Sequence, residues 1–188
     1  MLNIKSKHYY NPKFEIEHYK KSKKPKQVHI YDKLFYCLYH KIKKNYNLDK
    51  YNETLEKIKI IEYMKNINIK HKNELIEHMY KETIPLCCLV IITKIWDINV
   101  IWYSDYCYHE FINNENDIYF LSDKYEWSEN IDLNNKYKIE NIFKPIKCMS
   151  YYKLDDLKII SNYFNVNGKK KKDLYDGIVY YLENLKLI

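Results

Sequence analysis

The sequence predicts an α+β fold: helices followed by a small antiparallel sheet, plus a helical hairpin at the C-terminus. Three observations lead there. Between residues 34 and 92, apolar side chains recur at three- and four-residue intervals, the period of helices with one buried face. After residue 99 the pattern becomes short β-branched and aromatic runs separated by an Asn-rich stretch. At Phe143-Lys144-Pro145-Ile146 the chain changes character again, because Pro145 biases Lys144 away from helical backbone. Two short amphipathic segments follow that boundary.

Residues 1–29 hold Lys20-Lys21-Ser22-Lys23-Lys24-Pro25-Lys26 and no apolar period. They are expected to form a basic arm, either a solvated tail, a nuclear address or a nucleic-acid contact. The core is expected over 30–143. Asp32 stands ready to cap a helix that buries Leu34, Phe35, Leu38, Tyr39 and Ile42. A second helix should bury Leu55, Ile58, Ile61 and Met64, and a third Leu75, Ile76, Met79 and Tyr80. Pro85 suits the first turn of a helix running through Leu86, Leu89, Val90 and Ile92. Strands are expected at 99–103, 106–112 and 117–121, with Asn113-Asn114-Glu115-Asn116 as a turn and a fourth strand around 136–139. In the module 148–188, Leu154, Leu157 and Ile160 or Ser161 share one helix face. A second helix beginning among Lys169–Lys172 buries Leu174, Ile178, Tyr181 and Leu182. Gly168 is expected to supply a positive φ between them.

Composition limits the function. A chain of 188 residues suits one domain with an appendage, domains being roughly 100–200 residues. With 16% aromatic residues, disorder is not its dominant state. The net charge of +7 arises entirely from Lys, since the sequence contains no Arg. Lys, Asn, Ile and Tyr are over-produced by AT-rich genomes, so codon usage accounts for part of that charge. Without the guanidinium fork, any phosphate contact is sequence-tolerant backbone contact. Five Cys (Cys37, Cys87, Cys88, Cys107 and Cys148) at no disulfide-framework spacing indicate a reducing, intracellular compartment. The longest apolar run, Ile84–Ile92, is far short of the roughly 20 residues a membrane span needs. The first residues, with Lys5, Lys7 and His8, lack the apolar middle of a secretory signal. With Gly168 and Gly177 as the only glycines, neither a phosphate loop nor a dinucleotide-binding fingerprint can be written. No cofactor is expected.

Leu154-Asp155-Asp156-Leu157-Lys158, followed by Gly168-Lys169-Lys170-Lys171-Lys172-Asp173-Leu174, resembles the SAP and Rho-terminator N-terminal-like modules. Their signature is Leu-x-x-Leu-Lys, a short extended segment, then Gly-x-Lys-x-(Asp or Glu)-Leu. The resemblance covers about a fifth of the chain and implies DNA or RNA backbone held at the start of the second helix. Lys153, Lys158, Gly168, Lys169, Lys170, Lys171, Lys172 and Tyr175 are the candidate contacts. The local physics agrees: a helix N-terminus favours phosphate, and a Lys run adds counterion release. Four Lys at a helix start also oppose the helix dipole, which is more sensible beside a polyanion than on a free surface. Protein docking by the same hairpin and a plain solvated Lys run remain open. The absent Arg and the bulk of Tyr151, Tyr152 and Tyr163 leave strand preference undetermined.

The core offers a second resemblance. Tyr31-Asp32-Lys33-Leu34-Phe35-Tyr36-Cys37-Leu38-Tyr39, the helix at 86–95 and the strands at 99–103 and 118–121 follow an order similar to ovarian-tumour-type cysteine proteases. There an Asp-x-x-Cys-Leu-Phe segment opens the catalytic helix and a His-Tyr pair follows the late strand. Aligned on Leu34-Phe35, Lys33 stands in the nucleophile's place and Lys124 where His would precede Tyr, so both essential groups are lacking. A thiolate nucleophile needs a base within reach and a depressed pKa. Cys37 with His109 is the best surviving pair, and Cys37 as a small core residue is the alternative. His40, three residues from Cys37, has no orienting partner in the sequence. Cys87-Cys88 and Cys107-Tyr108-His109 do not have zinc-ligand spacing, so no metal is expected. Trp96, Trp102 and Trp127 are read as core anchors rather than base-stacking platforms.

The Asp32-Lys33-Leu34-Phe35-Tyr36-Cys37 opening and the passage Lys144-Pro145-Ile146-Lys147-Cys148-Met149-Ser150-Tyr151-Tyr152-Lys153-Leu154 together resemble uncharacterised proteins of large eukaryotic DNA viruses. That resemblance implies host cytoplasm or virion and supplies no activity. The expectation is therefore a non-enzymatic protein that binds nucleic acid through its C-terminal module. A degenerate or active cysteine-protease-like domain, and a virion scaffold docking another protein, are the alternatives.

Overall fold

A computed structural model describes residues 32–42, 51–185 and 187 of the chain. The basic arm expected at 1–29 lies outside the described residues. Four helices come first: α1 (Lys33–Ile42), α2 (Glu53–Lys65), α3 (Lys72–Met79) and, after a 3-10 turn at Leu86–Cys88, α4 (Leu89–Ile95). Five strands follow, β1 (Asn99–Tyr103), β2 (Cys107–Phe111), β3 (Ile118–Ser122), β4 (Trp127–Ser128) and β5 (Tyr137–Lys138). Two further helices, α5 (Leu154–Tyr163) and α6 (Lys171–Glu183), close the chain. The fold is α+β with C-terminal helices.

The sheet is mixed rather than antiparallel, in the order β4-β3-β1-β2-β5. β1 pairs antiparallel with β2 and parallel with β3, while β5 pairs parallel with β2. Asn99 explains the departure. Its buried side chain donates to Asn114 Oδ1 at 2.8 Å and to the Asn116 carbonyl at 2.9 Å, and accepts from the Asn113 N–H at 2.8 Å. The Asn-rich segment is thereby wrapped over the start of β1. It does not close a tight turn beside β2, and β3 emerges on the far side of β1. The two-residue β4 was not anticipated, being too short for alternation to register.

Asp32 caps α1 as expected, its Oδ1 accepting the Phe35 N–H at 3.0 Å. Leu34, Phe35, Leu38 and Tyr39 are buried on that helix. Pro85 precedes the 3-10 turn instead of opening an α-helix directly. On α2 the buried set is Lys57, Ile60, Ile61 and Met64, whereas Leu55 and Ile58 face outward. The helix is rotated from the expected face because Lys57 is drawn inward. Its Nζ lies 3.0 Å from Asp32 Oδ2 and 2.9 Å from Glu53 Oε1, and donates to the Lys81 and Glu82 carbonyls. Asp32 Oδ2 also accepts the Ile84 N–H at 2.8 Å, so one ionic knot joins α1, α2 and the segment leading into α4. On α3, His78 rather than Tyr80 turns inward beside Leu75 and Met79.

One continuous apolar cluster runs through α1, α2, the 3-10 turn, α4, the sheet, α5 and α6. The C-terminal helices belong to it: Phe164 and Tyr181 pack on Tyr106, with Phe164 also against Tyr137. The Cys87 N–H donates to the Leu187 carbonyl at 2.9 Å, tying the chain end to the 3-10 turn.

Candidate functional site

The link between α5 and α6 determines how the candidate lysines are presented. It leaves α5 at Phe164, whose ring lies 5.8 Å from that of Tyr181. Asn165 takes the left-handed conformation, with φ 54°, that Gly168 was expected to supply. Val166 then lies against Gly177, where a Cβ would stand 2.5 Å from Val166 Cγ1. At Gly168 a Cβ would meet Asp173 Cβ at 3.0 Å, so this glycine serves close approach and not positive φ. The contacts 164 to 181, 166 to 177 and 168 to 173 show the link running back along α6. At the other end the Tyr175 hydroxyl donates to the Lys147 carbonyl at 3.0 Å, and the Lys147 N–H donates to the Tyr152 hydroxyl at 3.1 Å. α5 and α6 therefore point the same way, and their N-terminal ends lie together.

That shared end carries the lysines. Lys170 precedes α6 in extended backbone, and no side chain caps the helix. Lys169, Lys170 and Lys172 are exposed, Lys171 is half-buried, and none of the four forms an ion pair with a described residue. Lys153, also exposed, precedes α5, where its N–H donates to Asp156 Oδ2 at 2.8 Å. Lys147 lies 3.8 Å from the centroid of the Tyr151 ring. Two candidates are otherwise engaged: Lys158 pairs with Asp155 at 3.0 Å, and Tyr175 is committed to Lys147. The arrangement can hold an anion by helix N–H groups and unpaired ammonium groups at one end of the helix pair.

The thiol–imidazole pair is not brought together. Cys37 Sγ donates to the Tyr125 carbonyl at 3.1 Å, in the turn between β3 and β4. His109 Nδ1 donates to the Ile139 carbonyl at 2.5 Å, just past β5 at the opposite side of the sheet. Burial pushes the Cys37 thiol up, against the lowering effect of its Trp127 contact and the Lys41 charge. Burial holds the His109 imidazole below its usual range, opposed by the Ile139 hydrogen bond. In the first turn of α1 the Phe35 and Tyr36 N–H groups are already taken by Asp32. Cys107 is pushed up to about 11, chiefly by burial. Among the described residues no group of three His, Cys, Asp or Glu side chains could hold a metal ion.

Sequence reasoning passed over a second cleft, of about 410 Å³, between α1 and the β3–β4 turn. Lys33, Cys37, His40, Lys124 and Trp127 are among its lining residues. The two positions that the protease resemblance reserves for nucleophile and base thus share one cleft, and both are Lys. The ionic knot around Lys57 was also missed. Its signal was a Lys at the 57, 60, 61, 64 spacing of a buried helix face, four residues after Glu53.

Comparison with known protein families, with curated proteins and with solved structures finds no match to this chain. Among the described residues no helix is long and apolar enough to cross a membrane.

Proposed function

We propose that the protein binds nucleic acid through the phosphate backbone, at the end of the C-terminal helix pair where α5 and α6 both begin. One observation carries this reading: four consecutive lysines, unpaired among the described residues, surround the uncapped start of a 13-residue helix. An isolated protein gains nothing from this placement, because the ammonium groups repel one another and oppose the helix dipole. A polyanion reverses both penalties by supplying phosphate to the N–H groups and releasing counterions. Lys153, at the adjacent helix start, extends the same surface. Lys158 and Tyr175 contribute less, the one being paired with Asp155 and the other tied to the linker.

The test is the salt dependence of binding to duplex DNA, single-stranded DNA and RNA. In the variant Lys169→Ala/Lys170→Ala/Lys171→Ala/Lys172→Ala, the log–log salt slope for duplex should fall by roughly 3 to 4 if each lysine neutralises one phosphate. An unchanged slope would remove the module from the binding surface and direct the search to a protein partner.

A second reading is favoured by the cleft that unites Lys33 and Lys124: a core derived from a cysteine-protease-like architecture and lacking its nucleophile and base. It requires Cys37 to be inert. Cys37 should react with iodoacetamide at pH 7 far more slowly than a free thiol, and a fast reaction at Cys37 would instead favour an active enzyme.

A further inference from the structure

The cleft between α1 and the β3–β4 turn combines an aromatic floor with a rim of lysines unpaired among the described residues. Its floor is largely apolar and aromatic, formed by half-buried Tyr36 and Trp127, while Lys33, Lys124 and His40 stand exposed at its rim. Lys41 adds a third ammonium group, its Nζ lying 4.8 Å from the Tyr119 ring centroid and 5.4 Å from that of Trp127. Among the described residues no carboxylate lines the cleft, and neither Lys33 nor Lys124 is paired with an acidic group. The volume of about 410 Å³ falls within the range of small-molecule pockets, roughly 300–1,000 Å³.

The two halves demand different chemistry from one ligand. An aromatic floor rewards a flat, weakly hydrated ring, since stacking is available to any base and needs no particular hydrogen-bond pattern. A rim of ammonium groups without counter-charge rewards phosphate. Inorganic phosphate would satisfy only the rim, and a neutral aromatic only the floor.

We infer that this cleft binds an aromatic base carrying a phosphate, with the base against Trp127 and Tyr36 and the phosphate between Lys33 and Lys124. The ligand is either a free mononucleotide or one unstacked nucleotide of a single strand. The cleft is separate from the lysines at the start of α6, and the inference stands whether or not that module binds nucleic acid.

The experiment uses the full chain and calorimetric titration with UMP, AMP, inorganic phosphate and (dU)8. Four proteins are compared: wild type, Lys33→Ala/Lys124→Ala, the quadruple variant at 169–172, and the two sets combined. Both rim lysines are exposed, so their removal leaves the fold intact, which an unchanged melting temperature checks. The expected result is nucleotide binding that weakens about tenfold or more in Lys33→Ala/Lys124→Ala, on the scale of one charge-assisted hydrogen bond, and is unchanged in the quadruple variant. UMP or AMP matching (dU)8 on the quadruple background identifies a free nucleotide as the ligand. Binding by (dU)8 alone on that background, lost in the combined variant, identifies a strand. The inference is overturned if no nucleotide or oligomer binds on the quadruple background. It is equally overturned if loss of both rim lysines changes nothing, or if inorganic phosphate binds as tightly as UMP.

Discussion

The buried ion cluster at Lys57 shows how a single side chain can set an element's orientation. Lys57 Nζ meets two carboxylates and two carbonyls while its side chain is only 7% exposed. Burying such charges is tolerable only when every partner is present, and removing one leaves the others unpaired in a dry site. Lys57→Met should therefore cost about 3–5 kcal/mol in a urea titration, although methionine matches the stem in volume. A loss under 1 kcal/mol would mean that water reaches Asp32 and Glu53. His78 presents the opposite case, a buried imidazole with neither nitrogen hydrogen-bonded among the described residues, the Glu74 carboxylate standing 3.8 Å from Nε2. Burial, and then the Lys81 charge, hold it below the usual imidazole range, while Glu74 and Glu77 pull the other way. The folded state thus binds fewer protons than the unfolded chain once the pH falls to the ordinary imidazole value, about 6.5. Stability is full above that value and is lost as pH falls through it toward the lower folded one. His109, also lowered, contributes with the same sign. The melting temperature should drop between about pH 7.5 and 5.5, and His78→Gln should flatten part of that slope. An identical slope in the variant would assign the pH dependence to His109 or to other groups.

At the scale of elements, the α5–α6 pair depends on one point of close approach. Gly177 gives Val166 room to lie on α6, and this contact returns the link toward the start of both helices. Gly177→Ala adds a Cβ in conflict with Val166 Cγ1, an overpacking that should cost about 1–3 kcal/mol despite the better helix propensity of Ala. Val166→Ala in the same chain should restore part of the loss, and a double-mutant cycle by chemical denaturation measures the coupling. Additive losses would mean that the link adjusts freely and does not fix how the two helices align. These elements also show what the sequence disclosed. Residues 34 to 39 and 174 to 182 could be read because their apolar spacing coincides with their buried face. α2 misled because Lys57, counted as polar, is buried on the same face as Ile60, Ile61 and Met64, leaving Leu55 and Ile58 outside. The parallel pairing of β3 with β1 rests on the Asn99 side chain capturing a distant loop, a contact that no local pattern encodes. Lys169–Lys172 were visible as a charge run and Lys153 as a further contact, but that the starts of α5 and α6 lie together was not. Trp127 gave no sequence sign of opening onto a cleft rather than filling the core.

Over the whole molecule, the C-terminal helices are a cover for the core as well as a candidate binding surface. Leu157, Phe164, Leu174, Ile178 and Leu182 belong to the same buried cluster as Phe35, Leu89 and Trp102. Leu187 closes a backbone hydrogen bond onto Cys87, at the 3-10 turn from which α4 grows. Cutting the chain after residue 146 would expose Tyr106, Tyr137 and that turn together, so truncation would confound lost binding with lost folding. Point changes at exposed Lys169, Lys170 and Lys172 avoid this. The three tryptophans lie at 96, 102 and 127, all before the C-terminal helices, whereas far-UV circular dichroism also samples α5 and α6. If the cluster is one cooperative unit, both probes should trace the same urea transition. Leu174→Ala, which removes a side chain only 2% exposed from α6, should then lower the midpoint of both equally, by about 2–5 kcal/mol in stability. Circular dichroism falling first, with tryptophan emission unmoved, would instead describe a module that detaches before the core unfolds. In that event the lysine surface would be free to reorient on its polyanion, and the linker at 144–147 would act as a hinge rather than a strut.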